Sequence, residues 1–457
     1  MADADNPFHA ARAGNPAGNP AQTGSPARAG AAALTDALAR AGRQHLRRAR
    51  RTVERFPEFP GAGPDSAEVV VEGRRLVNFC GNDYLGLSRH PAVSAALRDA
   101  AGHWGVGSGA SHLVTGHGIE HERLEQALAA FVGRERALLF STGYMANLAA
   151  VAALAGRGDR VLLDRLCHAS LIDAALLSGG RLQRYPHADA GAAARMLQAP
   201  RGTAPIASVP RQDRTALIVT DGLFSMDGDL APIGELAVAA ERHGAQLIVD
   251  DAHGLGVLGG SGRGTLEHLG VAPERVAVLV GTLGKAFGTF GAFVAGSGAL
   301  IETLIQSARS YIYTTALPHA LAAAARAALE VSQRESWRRE RVLALTARFR
   351  SGASARGVPL SPSSTPIQPI ILGSAEAALG ASRALLQSGL WVAAIRPPTV
   401  PARTARLRIT FSAAHTEAQV DALVAALADA LREAPAESVL AEHALDELRA
   451  RSHPGRL

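Results

Sequence analysis

Between about residues 90 and 300 the chain repeats one pattern of polarity: a short run of consecutive apolar residues, a polar or glycine-rich stretch, then apolar positions at helical spacing. The runs at 137–140, 160–163, 216–220, 246–249 and 277–280 are too short for helices and apolar at successive positions, which predicts strands buried on both faces. Strands and helices alternating in this way build an α/β fold around a mostly parallel sheet with helices on both sides. Such sheets bind ligands beyond the carboxyl ends of their strands. The polar residues directly after each run are therefore where chemistry is expected.

On either side of this region the pattern changes. Residues 1–32 are rich in Ala, Gly, Pro and Asn without periodicity and predict a disordered tail; a helix is expected at 34–53 and a short β segment at 68–79. The Ala- and Arg-rich stretch 318–356 reads as one long helix. Beyond it, short apolar runs at 367–372, 391–395 and 406–410 alternate with helical pattern, a smaller α+β unit, and 438–451 reads as one more amphipathic helix. The expected organisation is a tail (1–32), an N-terminal helix with a small β segment (33–89), a large domain (90–330), a small domain (331–435) and a terminal helix (436–457). No internal repeat is evident.

With 47% hydrophobic and 19% charged residues, 457 residues bury a large core. No apolar stretch reaches the roughly 20 residues that cross a bilayer, and the start of the chain lacks a basic-then-apolar signal, so no membrane partner and a cytoplasmic location are expected. Cys80 and Cys167 are too few for a disulfide framework or a zinc cluster. A net charge of +6 and a pI near 9.9 raise the question of nucleic acid, but aromatic content is 4% and no arginine run interleaves with aromatics, so no nucleic-acid partner is expected. Arg47, Arg48, Arg50 and Arg51 form the one dense basic cluster, readable as a solvated helix face or as a clamp for a carboxylate, a phosphate or an acidic carrier.

Lys285 is the only lysine; every other one of the 47 cations is arginine. A guanidinium serves a surface as well as an ammonium does, but it has no deprotonated amine to condense with an aldehyde. The lysine follows the run at 277–280 within Gly281-Thr282-Leu283-Gly284-Lys285, where it reads either as an ordinary surface residue or as an amine for a carbonyl cofactor. Its neighbours in the pattern decide. Asp250 and Asp251 follow another run and lead to His253; a carboxylate there either caps a helix or pairs with a protonated ring nitrogen. Ser141-Thr142-Gly143-Tyr144 opens a helix whose N–H groups suit a phosphate, and Thr282 can add a hydroxyl. His168 and Ser225 occupy equivalent places after two further runs. Each residue singly is weak evidence; one lysine, an Asp/His pair, a phosphate cradle and an aromatic cap together are specific.

The stretches Asn82-Asp83-Tyr84-Leu85-Gly86-Leu87, Gly107-Ser108-Gly109, His168-Ala169-Ser170-Leu171, Phe224-Ser225-Met226-Asp227-Gly228, Val249-Asp250-Asp251-Ala252-His253-Gly254 and Gly281-Thr282-Leu283-Gly284-Lys285 resemble the α-oxoamine synthase family across about residues 45–430. These are pyridoxal 5′-phosphate (PLP) enzymes of fold type I, with a seven-stranded sheet and a smaller C-terminal α+β domain. The resemblance implies that Lys285 joins the cofactor aldehyde, Asp250 pairs with the pyridine nitrogen, His253 contacts the ring oxygen and His168 stacks on the ring. It further implies that Gly143 and Tyr144 cradle the phosphate, with Ser225 and Thr282 completing the cofactor site. Arg408 would take an amino-acid carboxylate, with Arg48, Asn82 and Thr399 near the acyl substrate; Arg47 fits the place of Arg48 nearly as well.

Within the family, Ala394-Ile395-Arg396-Pro397-Pro398-Thr399-Val400-Pro401 and Arg406-Leu407-Arg408-Ile409 resemble the biotin-pathway member, which condenses L-alanine with a pimeloyl thioester of coenzyme A or a carrier protein. The resemblance also implies a homodimer with its site at the interface, where Thr314 or Thr315 reaches the neighbour's phosphate. Two departures are Phe290, where the family has a small residue, and Arg403, where it has glycine. The rival readings are glycine with acetyl-CoA or succinyl-CoA as substrates, and a zinc hydrolase built on His117, Glu120 and His121, whose spacing fits an inverted zincin.

Overall fold

A computed structural model describes residues 26–55, 66–199 and 215–432, and these fall into two units divided after Arg50. In the first, one exposed helix runs Pro26–Arg43. It starts earlier than the sequence pattern predicts, because Pro26 suits a first helical turn and the alanines after it favour helix. It also stops ten residues short of 53: past Gly42 the chain turns through His45 at φ 56°, a backbone conformation no helix accommodates. The expected tail at 1–25 and terminal helix at 438–451 lie outside the described residues. No helix among those described is long and apolar enough to cross a membrane.

The described residues of the second unit hold fourteen strands in three sheets. β1 (Val53–Arg55), β2 (Glu68–Val71) and β3 (Arg74–Asn78) form an antiparallel ribbon, the expected segment at 68–79. The central strands are β4 (Arg136–Phe140), β5 (Arg160–Asp164), β6 (Arg181–Tyr185), β7 (Ala216–Asp221), β8 (Gln246–Asp250), β9 (Val278–Thr282) and β10 (Ala292–Gly296). The third sheet comprises β11 (Ile367–Gly373), β13 (Ala393–Ile395) and β14 (Ala405–Thr410), while β12 (Leu390–Trp391) runs parallel to β3 and extends the first.

The seven central strands lie in the order β4-β10-β9-β8-β7-β5-β6, and all pairs are parallel except the two made by β10. Alternation along each strand divides the core in two. Leu162, Leu247, Val249, Leu279 and Phe293 point into one cluster, while Val161, Leu163, Ile248, Val278, Val280 and Val294 point into the other. Helices cover both clusters, so each run is apolar at successive positions, as the pattern required.

Two central strands escape the polarity pattern. β6 is an edge strand whose Arg181, Gln183 and Arg184 remain partly or fully exposed, and β10 is a five-residue run containing two alanines and two-sided neighbours. The expected long helix at 318–356 is two helices, His319–Arg334 and Trp337–Ala355. The break turns two buried guanidiniums inward: Arg338 donates to Leu85 O at 3.1 Å and Arg339 to Ser332 O at 2.7 Å.

Arg403 stands at φ 64°, in the left-handed region, which explains why the related pattern has glycine there. It is exposed, so its side chain adds little packing. Arg403→Gly is expected to raise stability by about 0.5–1 kcal/mol, the left-handed penalty less the extra chain entropy of glycine, read as a higher midpoint of urea unfolding.

Candidate active site

Because β10 is antiparallel to both β4 and β9, the carboxyl ends of β4, β5, β7, β8 and β9 share one edge of the sheet. That edge gathers Gly143, Tyr144, His168, Ser225, Asp250, His253, Thr282 and Lys285, each at the last residue of a strand, in the turn after it or in the first turn of the helix that follows.

The lysine loop is fixed by its own backbone. Leu283 N–H donates to Gly291 O at 2.9 Å, Thr289 N–H to Leu283 O at 2.9 Å and Gly288 N–H to Lys285 O at 2.8 Å. Gly288, at φ 64°, lies against the backbone of Leu87 and Ser88, where a Cβ would collide. This contact brings the Asn82–Tyr84 segment to the lysine. Lys285 Nζ is 2.9 Å from His253 Nε2, His253 Nδ1 is 2.8 Å from Tyr84 Oη, and the Tyr84 hydroxyl lies 3.4 Å from Asn82 Oδ1. Burial pushes the Lys285 amine below its ordinary range, while Asp250 and Asp221 pull the other way. Burial also holds His253 well below its usual value, with the Lys285 and Arg408 charges adding to it. His253 is thus a neutral imidazole that can accept from one neighbour and donate to the other.

Asp250 ends β8. Its Oδ2 accepts from Asn147 Nδ2 at 2.6 Å and its Oδ1 from Ala252 N–H at 3.0 Å. Asn147 Nδ2 also reaches Ser170 Oγ at 2.8 Å, and Ser170 Oγ is 2.7 Å from His168 Nδ1, so one network joins the carboxylate to the ring of His168. That ring is exposed on the open side of the edge. Asp221, beside Asp250 in the sheet register, has its pKa raised well above the carboxylate range by burial and then by the Asp250 charge; it accepts from His168 N–H at 3.2 Å. Asp251 points the other way. It is fully buried, accepts from Thr265 N–H at 2.7 Å and is pushed up to about 7 by burial, a structural role.

At the end of β4, Thr142 caps the helix Gly143–Ala152 by accepting from Met145 N–H. The N–H groups of Gly143 and Tyr144, ahead of that bond, have no partner within the helix. The Tyr144 hydroxyl donates to Asp173, and the Thr282 hydroxyl to Gly291 O at 3.1 Å.

From the third sheet, Arg408 and Arg406 project off one face of β14 while Leu407 and Ile409 bury in the core on the other, as alternation required. Arg406 pairs with Asp227 at 2.5 Å. Arg408 Nε donates to Ser225 O at 2.6 Å, and both its terminal nitrogens lie 3.2 Å from Asn82 Oδ1. Thr399 is exposed in the turn between β13 and β14, and Phe290, in the turn before β10, is 45% exposed. Arg48 belongs to the N-terminal unit, past its helix.

The zinc set is not assembled. The helix begins at Ile119, so His117 precedes it and the two imidazoles are not one turn apart on a helix. His121 has both nitrogens engaged, with Leu317 O at 2.5 Å and Gly118 N–H at 3.0 Å, and Glu120 pairs with Arg123 and Arg326. Three residues of the edge were not singled out from sequence as site residues: Tyr84, Asn147 and Asp221. Tyr84 stands inside a recognised motif, and Asn147 is the polar residue in an otherwise apolar helix, which is the signal that finds it.

PLP fits this edge. Asn147 Oδ1 is buried with no partner beside the Asp250 carboxylate, which is held by two N–H donors and no ion pair among the described residues. A Cβ placed on Gly143 would meet nothing within 4 Å.

The family model for aminotransferase class I and II matches residues 74–427. An 8-amino-7-oxononanoate synthase of Thioalkalivibrio sulfidiphilus is 58% identical over 85% of this chain and 94% of its own length. Among solved structures, serine palmitoyltransferase from S. paucimobilis with a bound PLP–myriocin aldimine superposes with a TM-score of 0.79 at 30% identity, covering 88% of this chain and 97% of that one. The 8-amino-7-oxononanoate synthase of Francisella tularensis superposes with a TM-score of 0.66 at 30% identity, covering 78% and 98%.

Proposed function

Since this chain belongs to the aminotransferase class I and II family, we infer that it is a PLP-dependent acyltransferase of biotin biosynthesis, joining L-alanine to a pimeloyl thioester with loss of CO₂ to give 8-amino-7-oxononanoate. The observation that carries the reading is the meeting of the sole lysine, a neutral histidine and the Asp250 network at one sheet edge.

When bound, PLP supplies an aldehyde that captures amines and a cationic ring that accepts the electron pair left by a broken bond at Cα. Lys285 is the amine that holds the cofactor and, once released, takes the proton from the alanine Cα; its lowered pKa leaves more of it as free base near neutrality. His253 keeps Lys285 aimed and fixes its proton traffic through Tyr84. Asp250 holds a proton on the ring nitrogen, with Asn147 locking the carboxylate's orientation. His168 would stack on the ring, the N–H groups of Gly143 and Tyr144 would take the phosphate, and Ser225 and Thr282 would complete the cofactor site. Arg408 receives the alanine carboxylate in its fork, and Asn82 positions that fork. Thr399 serves the acyl thioester, whether it is carried by coenzyme A or by a carrier protein. The chain acts as a homodimer: Val106, Leu113, Val114 and Tyr313 are exposed by 88, 50, 74 and 71%, and the Ser111–Thr315 bridge sets two of these segments side by side.

The test is direct. Purified, PLP-loaded enzyme that elutes as a dimer is expected to release one CO₂ and one thiol per pimeloyl-CoA with L-alanine. Glycine with acetyl-CoA or succinyl-CoA should run about a hundredfold slower. A faster reaction with glycine and a short acyl donor overturns the reading.

A further inference from the structure

Away from the lysine edge, the turn His112–Gly116 and the start of the helix Ile119–Val132 bring together groups that the proposed reaction does not use. His117, Glu122 and Glu125 each offer a ligand atom, and these atoms all lie within 4.8 Å of one another. His117 Nε2 is 3.0 Å from Glu122 Oε1, while its other nitrogen, Nδ1, is 2.9 Å from His112 Nδ1. We propose that His117, Glu122 and Glu125 form a site for a divalent first-row transition metal such as Zn²⁺, with His112 orienting the histidine ligand.

The chemistry of the donor set selects the ion. An imidazole with two carboxylates suits zinc or its neighbours better than magnesium or calcium, which take oxygen ligands. Ligands about 2.0–2.2 Å from a tetrahedral zinc stand about 3.4 Å apart, so the 3.0 Å pair opens slightly and Glu125 closes in. His112 supplies the outer contact that metal-bound histidines require: with the proton on His117 Nδ1 donated to His112 Nδ1, the lone pair of His117 Nε2 faces the carboxylates. His112 is itself stacked on Tyr311 at 4.9 Å, which fixes its ring. Glu125 is anchored by the Leu139 N–H at 2.9 Å, so the site ties the turn to the helix and the helix to β4. Glu122 and Glu125 lie one helical turn apart, and Arg136, paired with Glu302 at 3.5 Å, also acts on the Glu125 carboxyl. Water fills the fourth position in this arrangement.

Cobalt(II) reports the site, because its visible bands fall at longer wavelength than the cofactor's. Tag-free, PLP-loaded full-length enzyme titrated with Co²⁺ is expected to develop one saturable band per chain, erased by one equivalent of Zn²⁺. His117→Gln/Glu122→Gln should lose the band while keeping the cofactor absorbance, and His112→Asn should bind about 10–100-fold more weakly. Should the double variant lose its cofactor, Glu122→Gln alone, at an exposed position, decides by weakening binding at least about tenfold. The proposal is overturned if the wild-type enzyme shows no saturable band, or if binding is unchanged in these variants. Activity of the lysine edge is not the readout, so failure here leaves the proposed function standing.

Discussion

Lys285→Arg is expected to yield a folded protein that keeps its charge at this position but loses turnover by about a thousandfold or more. The chain carries arginine at all other cationic positions, so the substitution asks whether position 285 needs charge or an amine. A guanidinium cannot form the borohydride-reducible link to the cofactor aldehyde, and it does not deprotonate near neutrality to serve as a base. The amine it replaces is half-buried, facing His253 at 2.9 Å, and its pKa is pushed down by burial first. Two measurements check the prediction: the visible absorbance that borohydride bleaches, and CO₂ release with L-alanine and pimeloyl-CoA. Full turnover in the arginine variant would refute the role given to the amine. Adding a primary alkylamine to Lys285→Ala should restore part of the rate, which a merely structural lysine would not show.

The sheet was legible because burial on both faces forces a strand to be apolar at successive positions, and four of the five predicted runs agree with the observed strands to within a residue at each end. β6 and β10 were not, since an exposed edge strand and a short alanine-glycine strand carry no such constraint. The helix break before Trp337 was hidden for another reason: no glycine or proline marks it, and it turns Arg338 toward Leu85 O and Arg339 toward Gly260 O, carbonyls distant in sequence. At the site, the residues that chemistry names were readable from their type and their place after strands. The residues that hold them were not. Tyr84, Asn147 and Asp221 act through contacts with residues 169, 103 and 53 positions away, and separations of that size leave no periodic trace. Arg403 shows the converse, a departure from the related pattern whose cost became physical only once its backbone angle was known.

Asp250→Asn is expected to lower kcat by about a hundredfold to a thousandfold, and Asp221→Asn to have far less effect, although the two carboxyl groups end neighbouring strands in register. The asymmetry follows from protonation. Burial and the Asp250 charge raise the Asp221 pKa well above the carboxylate range, which favours its neutral acid form, so an amide replaces it closely, still accepting from His168 N–H. Asp250 supplies the charge. Its two oxygens accept from Asn147 and Ala252, and an amide would set a donor against one of them, which costs about 1–3 kcal/mol in stability. The lost charge also moves the pH profile in a stated direction. Asp250 raises the pKa of both Lys285 and His168, so its neutralisation lets both fall further, and the acid limb of kcat should move to lower pH even as the maximum drops. A steady-state pH series on the wild type and both variants, with bound cofactor quantified by absorbance, checks each part. Equal losses in the two variants, or an acid limb displaced to higher pH in Asp250→Asn, would show that the charge at this edge resides elsewhere.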